Sequence, residues 1–137
     1  MQVKDLGSIL WTSVLLFAYS HCFAQHMNAK DGPCQTASSG ANETSCFVDA
    51  YKNSDQELNG LYRRVLTVVN GEELRKLKVA QRLWIEYRDA NCSAEYELYS
   101  GGSAAPMVKF ACLEAVTRHR TEELRVIYGW RLEKWSK

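Results

Sequence analysis

The stretch Ala80-Gln-Arg-Leu-Trp-Ile-Glu-Tyr-Arg-Asp-Ala-Asn-Cys92 places good helix formers, two aromatics about one turn apart and a terminal cysteine in a single run. Leu74, Leu77, Trp84, Tyr87 or Arg88, and Cys92 recur at the three-and-four spacing that gathers residues on one helical face. A cysteine on that face needs a sulfur partner on another element, so this helix is central and covalently tied. The spacing predicts an all-α fold, a small antiparallel three-helix bundle stapled by two disulfides.

Five cysteines are present, and the first, Cys22, follows an apolar run from Ile9 to Tyr19. That run is shorter than the roughly 20 residues of a membrane-spanning helix, and Lys4 precedes it. Cys22-Phe23-Ala24 offers small residues for cleavage, so residues 1–24 read as a signal peptide and the mature chain begins at Gln25. Lipid anchoring at Cys22 is the weaker reading, because Tyr19-Ser20-His21 puts no small residue before the cysteine. The expected location is the periplasm or the exterior, with no membrane span.

Cys34, Cys46, Cys92 and Cys112 remain, an even number in an exported chain, and a small core gains from such cross-links. Counting outward from the loop near residue 102 puts Cys92 level with Cys112, which leaves Cys34 for Cys46. The rival pairing is Cys46 with Cys92 and Cys34 with Cys112, since the same count about residues 70 and 71 puts Cys46 near residue 95. No metal site is expected, because no two cysteines have ligand spacing and the histidines are isolated in sequence.

Lys plus Arg number 17 against 16 for Asp plus Glu, a net charge of +1, so nothing in the total favours nucleic acid. The distribution is uneven. Residues 40–60 and 86–110 carry Glu43, Asp49, Asp55, Glu57, Glu86, Asp89, Glu95 and Glu97 against Lys52, Arg88 and Lys109, which makes one end of the bundle acidic.

Taken in order, residues 25–44 are polar and read as an extended arm with little core, followed by a helical domain over 45–137. Helix one is expected to begin near Ser45 and to bury Phe47, Leu58, Tyr62, Val65 and Val69. Asn53, Ser54, Asp55, Asn59 and Gly60 weaken its middle by roughly 0.5–1 kcal/mol each against Ala, allowing a kink. Asn70-Gly71 is expected to end it, with Glu72-Glu73 opening helix two at its positive end. So tight a link makes the two helices antiparallel neighbours and brings Asp55 and Asn59 within reach of Trp84 and Arg88. Pro106 opens helix three, whose expected inner side carries Val108, Cys112, Val116, Arg120, Leu124, Ile127 and Arg131. Asp55, Asn59, Trp84, Arg88 and Arg120 thus form an expected structural network, with Trp84 buried between three helices.

No nucleophile with its base, carboxylate pair, metal-ligand set or phosphate cradle appears at usable spacing, so neither catalysis nor a cofactor is expected. The motifs Tyr51…Asp55-x-x-Leu58-Asn59-x-x-Tyr62, Ala80-Gln-Arg-x-Trp-Ile-x-Tyr-Arg-Asp-Ala-x-Cys92, Gly101-Gly-Ser-x-x-Pro106 and Cys112…Thr117-x-x-Arg120-x-x-Glu-Leu124 closely resemble the LprI-type lysozyme-inhibitor domain. The resemblance spans about residues 34–128. It implies an exported helical, cystine-containing bacterial protein whose partner is a lysozyme. The alternative is an envelope interaction or stress-response module without that activity.

A partner surface is expected at the acidic end, on the Gly101–Pro106 loop and its neighbours: Asp89, Glu95, Glu97, Gly101, Gly102 and Ser103. Glycines there allow close backbone approach, and the acids attract a cationic partner such as a lysozyme.

Overall fold

In the computed structural model, residues 26–37 and 39–135 are described; the expected signal peptide, with Cys22, lies outside them. A 3-10 turn at His26–Asn28 is followed by α1 (Gly40–Leu66), α2 (Gly71–Glu97) and α3 (Ala105–Trp135). No strand occurs among the described residues. The all-α bundle with two cystines is the fold that the cysteine and apolar spacings predict.

Helix α1 begins at Gly40, earlier than Ser45, because Ser39 caps it. The Ser39 backbone is extended and its hydroxyl accepts from the Asn42 N–H at 3.5 Å, answering one of the free amides of the first turn. Glu43 then sits at the positive end of the helix dipole. The polar middle of α1 runs through without interruption. Leu58, Leu61 and Val65 are buried there. Two of its weak helix formers are used in side-chain bonds: Ser54 donates to Glu114 at 3.3 Å and Asn59 to Asp55 at 2.9 Å. Those contacts and the burial outweigh the propensity deficit.

Helix α1 ends at Leu66, short of Asn70-Gly71. The Thr67 hydroxyl donates to the Arg64 carbonyl at 2.7 Å, and the Thr67 N–H reaches Arg64 and Val65 carbonyls, so threonine caps the helix. Asn70 instead precedes α2, and Gly71, at φ 52°, is its first residue. The positive φ anticipated for Gly71 therefore opens a helix and does not close one.

Helix α3, and not the Ala80–Cys92 helix expected to be central, is the shared element. Backbones approach closely between α1 and α3 and between α2 and α3, whereas α1 and α2 approach each other sparsely. Burial on α3 accordingly runs around much of its circumference: Ala105, Val108, Ala111, Cys112, Leu113, Ala115, Thr117, Thr121, Leu124 and Leu132. Ile127, expected inside, is 54% exposed. The first described turn is not an extended arm either: Met27 packs against Cys34, Phe47 and Ala111, and the 3-10 turn lies on α3. The main core, Leu58, Leu61, Val65, Val69, Leu77, Leu124 and Leu132, occupies the other end.

Both cystines take the expected partners, Cys34 with Cys46 and Cys92 with Cys112. The level count about the α2–α3 loop holds along the whole pair, since Glu73 meets Arg131 at 2.7 Å near the far end. No described helix is long and apolar enough to cross a membrane.

Candidate functional site

Arg88 fills the gap between α1 and α2. It is 9% exposed, and its guanidinium lies 5.8 Å from the Tyr51 ring centroid and 5.3 Å from that of Trp84. Nη1 reaches Asp55 at 3.5 Å and Nη2 reaches Asp89 at 2.8 Å. Arg120 approaches Trp84 at 5.9 Å, and donates to Gln81 at 3.2 Å and to Glu123 at 2.9 Å. Contacts thus run from Asn59 to Asp55, from Asp55 to Arg88, and through Trp84 to Arg120. Trp84 is only half-buried, however, short of the full burial expected: it packs against the main core and also meets the guanidinium groups of Arg88 and Arg120. The low-dielectric flank has an electrostatic consequence: burial raises the Tyr51 pKa, with Arg88 opposing, and burial raises that of Tyr62, with Arg120 opposing.

The acids expected to face a partner divide into two groups. Asp89 is held by Arg88. Glu95 is half-buried, with Oε2 3.0 Å from His26 Nδ1 and Oε1 accepting from Asn91 Nδ2 at 3.2 Å. Glu97, Gly101, Gly102 and Ser103 are exposed. Gly101 has φ 83°, a conformation open to glycine at little cost, and the Gly102 N–H donates to the Tyr99 carbonyl at 3.0 Å, so the loop is a built turn. Pro106 is the second residue of α3, where its missing N–H leaves no helical bond unmade.

One residue of this end escaped sequence reasoning: Leu98, at the C-terminus of α2, is 78% exposed. Its place just past the last α2 residue, beside a glycine turn, was the only available signal. A second unforeseen cluster joins three elements. Ligand atoms of His26, Glu95 and Cys112 lie within 4.8 Å of one another, and Asn91 Nδ2 is 3.5 Å from Cys112 Sγ. In the oxidised protein Cys112 is bonded to Cys92, so the cluster lacks the thiolate that metal binding would require.

These features define a cystine-stapled helical protein in which ion pairs such as Arg88–Asp55 and Arg131–Glu73 join neighbouring helices. The chain matches the family described as "Lysozyme inhibitor LprI" over residues 34–124, and it belongs to that family. It is also similar to an uncharacterised protein of Rhizobium meliloti, 35% identical over 105 residues that cover 67% of this chain and 76% of the relative. No solved structure matches it.

Proposed function

We propose that this is an exported lysozyme inhibitor, not an enzyme, that binds a host or competitor lysozyme and blocks it without a cofactor. The observation that carries this reading is the family match over residues 34–124. Cleavage after Ala24 would release it into the periplasm or beyond, an oxidising setting consistent with two cystines.

The proposed contact surface is the acidic end: the Gly101, Gly102 and Ser103 turn with Glu97, and with Asp89 and Glu95 behind it. Glu97 is free to meet the partner directly, whereas Asp89 and Glu95, already bonded to Arg88 and His26, contribute to the field that draws in a cationic protein. Leu98 supplies an apolar anchor beside this charge.

The test is clearing of a bacterial cell-wall suspension by added cationic lysozyme. The protein should slow clearing, and Glu97→Lys with Leu98→Ser should weaken that effect about tenfold or more through slower association and faster release. Arg75→Glu with Lys78→Glu, at the opposite end, serves as the matched control and should leave it intact. Clearing that proceeds unchanged with the unaltered protein would overturn the reading in favour of an envelope interaction module. Equal loss in both double variants would remove this surface.

A further inference from the structure

The two cystines sit in different chemical surroundings. Cys34–Cys46 is packed among apolar side chains, Met27, Phe47, Met107 and Ala111. Cys92–Cys112 is fully buried, and it lies against His26 and Glu95, whose ligand atoms and Cys112 Sγ are mutually within 4.8 Å. Cys92 and Glu95 occupy one face of α2 at the three-residue spacing, Cys112 comes from α3 and His26 from the 3-10 turn. Among the described residues this is the sole group of three or more potential ligands found so close together.

A disulfide sulfur is a poor metal donor and a thiolate is a good one. Opening the Cys92–Cys112 bond would therefore turn an idle cluster into four donors: two sulfurs, one imidazole nitrogen and one carboxylate oxygen. Tetrahedral zinc, at about 2.3 Å from sulfur and about 2.0–2.2 Å from nitrogen or oxygen, needs donors roughly 3–4 Å apart. Three of the four donors, on His26, Glu95 and Cys112, already lie within 4.8 Å of one another, with His26 Nδ1 3.0 Å from Glu95 Oε2. Cys92 adjoins them through its bond to Cys112, so modest side-chain shifts after reduction would bring the set to that scale. Asn91 Nδ2, which is 3.5 Å from Cys112 Sγ and also bonded to Glu95, would orient two of the ligands from outside the coordination sphere.

We propose that Cys92, Cys112, His26 and Glu95 form a zinc site in the reduced protein, so that the α2–α3 staple exchanges between a covalent and a metal form. A dithiol reductant supplies two electrons and two protons and leaves as its own disulfide, while the cystine becomes two thiols. Zn2+ then binds both sulfurs as thiolates, and their two protons pass to solvent. This inference does not depend on the partner being a lysozyme.

The experiment uses the full chain carrying Cys22→Ser, reduced with dithiothreitol, freed of reductant under anaerobic conditions and equilibrated with zinc alone. One zinc per chain is expected by elemental analysis, against none in the oxidised protein. Cobalt substitution should give a tetrahedral spectrum with thiolate charge-transfer bands. His26→Ala with Glu95→Gln, checked for retained helical circular dichroism, should lower zinc affinity at least about tenfold. In the protein with His26 and Glu95 intact, zinc should protect Cys92 and Cys112 from alkylation and leave Cys34 and Cys46 reactive, a readout that holds even if the double variant unfolds. Zinc uptake unaffected by the two substitutions, protection shared equally by all four cysteines, or no uptake by the reduced chain would each overturn the proposal.

Discussion

Arg88 Nη1 on α2 lies 3.5 Å from Asp55 Oδ1 on α1, a bond between two helices whose backbones meet sparsely. The guanidinium is the bridge: its planar cation contacts the Tyr51 and Trp84 rings while its nitrogens hold Asp55 and Asp89. Lysine cannot reproduce this arrangement, because its point charge lacks both the fork and the plane.

Arg88→Met should therefore cost about 2–3 kcal/mol in urea denaturation, less than a fully buried pair because Asp55 remains partly solvated. Arg88→Lys should recover less than half of that loss. Trp84→Ala should cost about 2–3 kcal/mol, below the range for a fully buried tryptophan, since its ring is half-buried between guanidinium groups. A neutral Trp84→Ala variant would refute this structural role.

Thr117 offers the opposite case. It is completely buried, and its Oγ1 has no hydrogen-bond partner, while its carbonyl accepts from Thr121 at 3.1 Å. Burying a hydroxyl without a partner is costly, and valine keeps the shape of threonine without the polar atom. Thr117→Val should raise the urea midpoint, by about 1 kcal/mol of stability. A lower midpoint would mean that the hydroxyl is satisfied in solution.

Alkaline pH should loosen the bundle through Tyr51 and Tyr62. Both have pKa values raised above the ordinary 10.0, first by burial, so the folded state holds the phenolic protons more tightly than the unfolded chain. Their contribution is complete below pH 10.0 and is lost as pH rises from there through the folded values. Thermal melts across this range should fall less steeply in Tyr51→Phe. Arg88→Met should move the Tyr51 absorbance titration further up, because Arg88 lowers that pKa.

The cystines should differ in weight. Sequence separations of 12 and 20 make their chain-entropy contributions nearly equal, at about 3 kcal/mol each. Cys92→Ala with Cys112→Ala should nevertheless destabilise more than Cys34→Ala with Cys46→Ala, because α2 has less backbone contact with α3 than α1 does and relies on the bond. Denaturant midpoints of the two double variants decide this, and equal losses would assign no special role to the α2–α3 link.

Register was the legible part of this chain. Short connections make residues equidistant from a loop face each other, so the Cys92–Cys112 pair and the Arg88–Asp55 contact could be counted out beforehand. What escaped depended on three-dimensional competition. The start of α1 turned on one weak cap at Ser39, and its end on the Thr67 hydroxyl taking a carbonyl. Ile127 was expected inside and is exposed, because α3 packs on two sides and α1 and α2 stay apart. His26 and Glu95 are 69 residues apart, and no periodicity relates a turn to the end of a distant helix.

The placement of α3 between its neighbours also dictates an order of events during synthesis. α1 and α2 leave the ribosome first, but the surface on which each mainly packs is Ala105–Trp135, the last helix to appear. Until then their apolar faces have only each other, across a gap that one arginine spans. A nascent chain so arranged has little to fold around before it is nearly complete, and it stays unpacked while it is being handed on. Under the export proposed above, late arrival of the central strut would keep the passenger pliable until it has crossed the membrane.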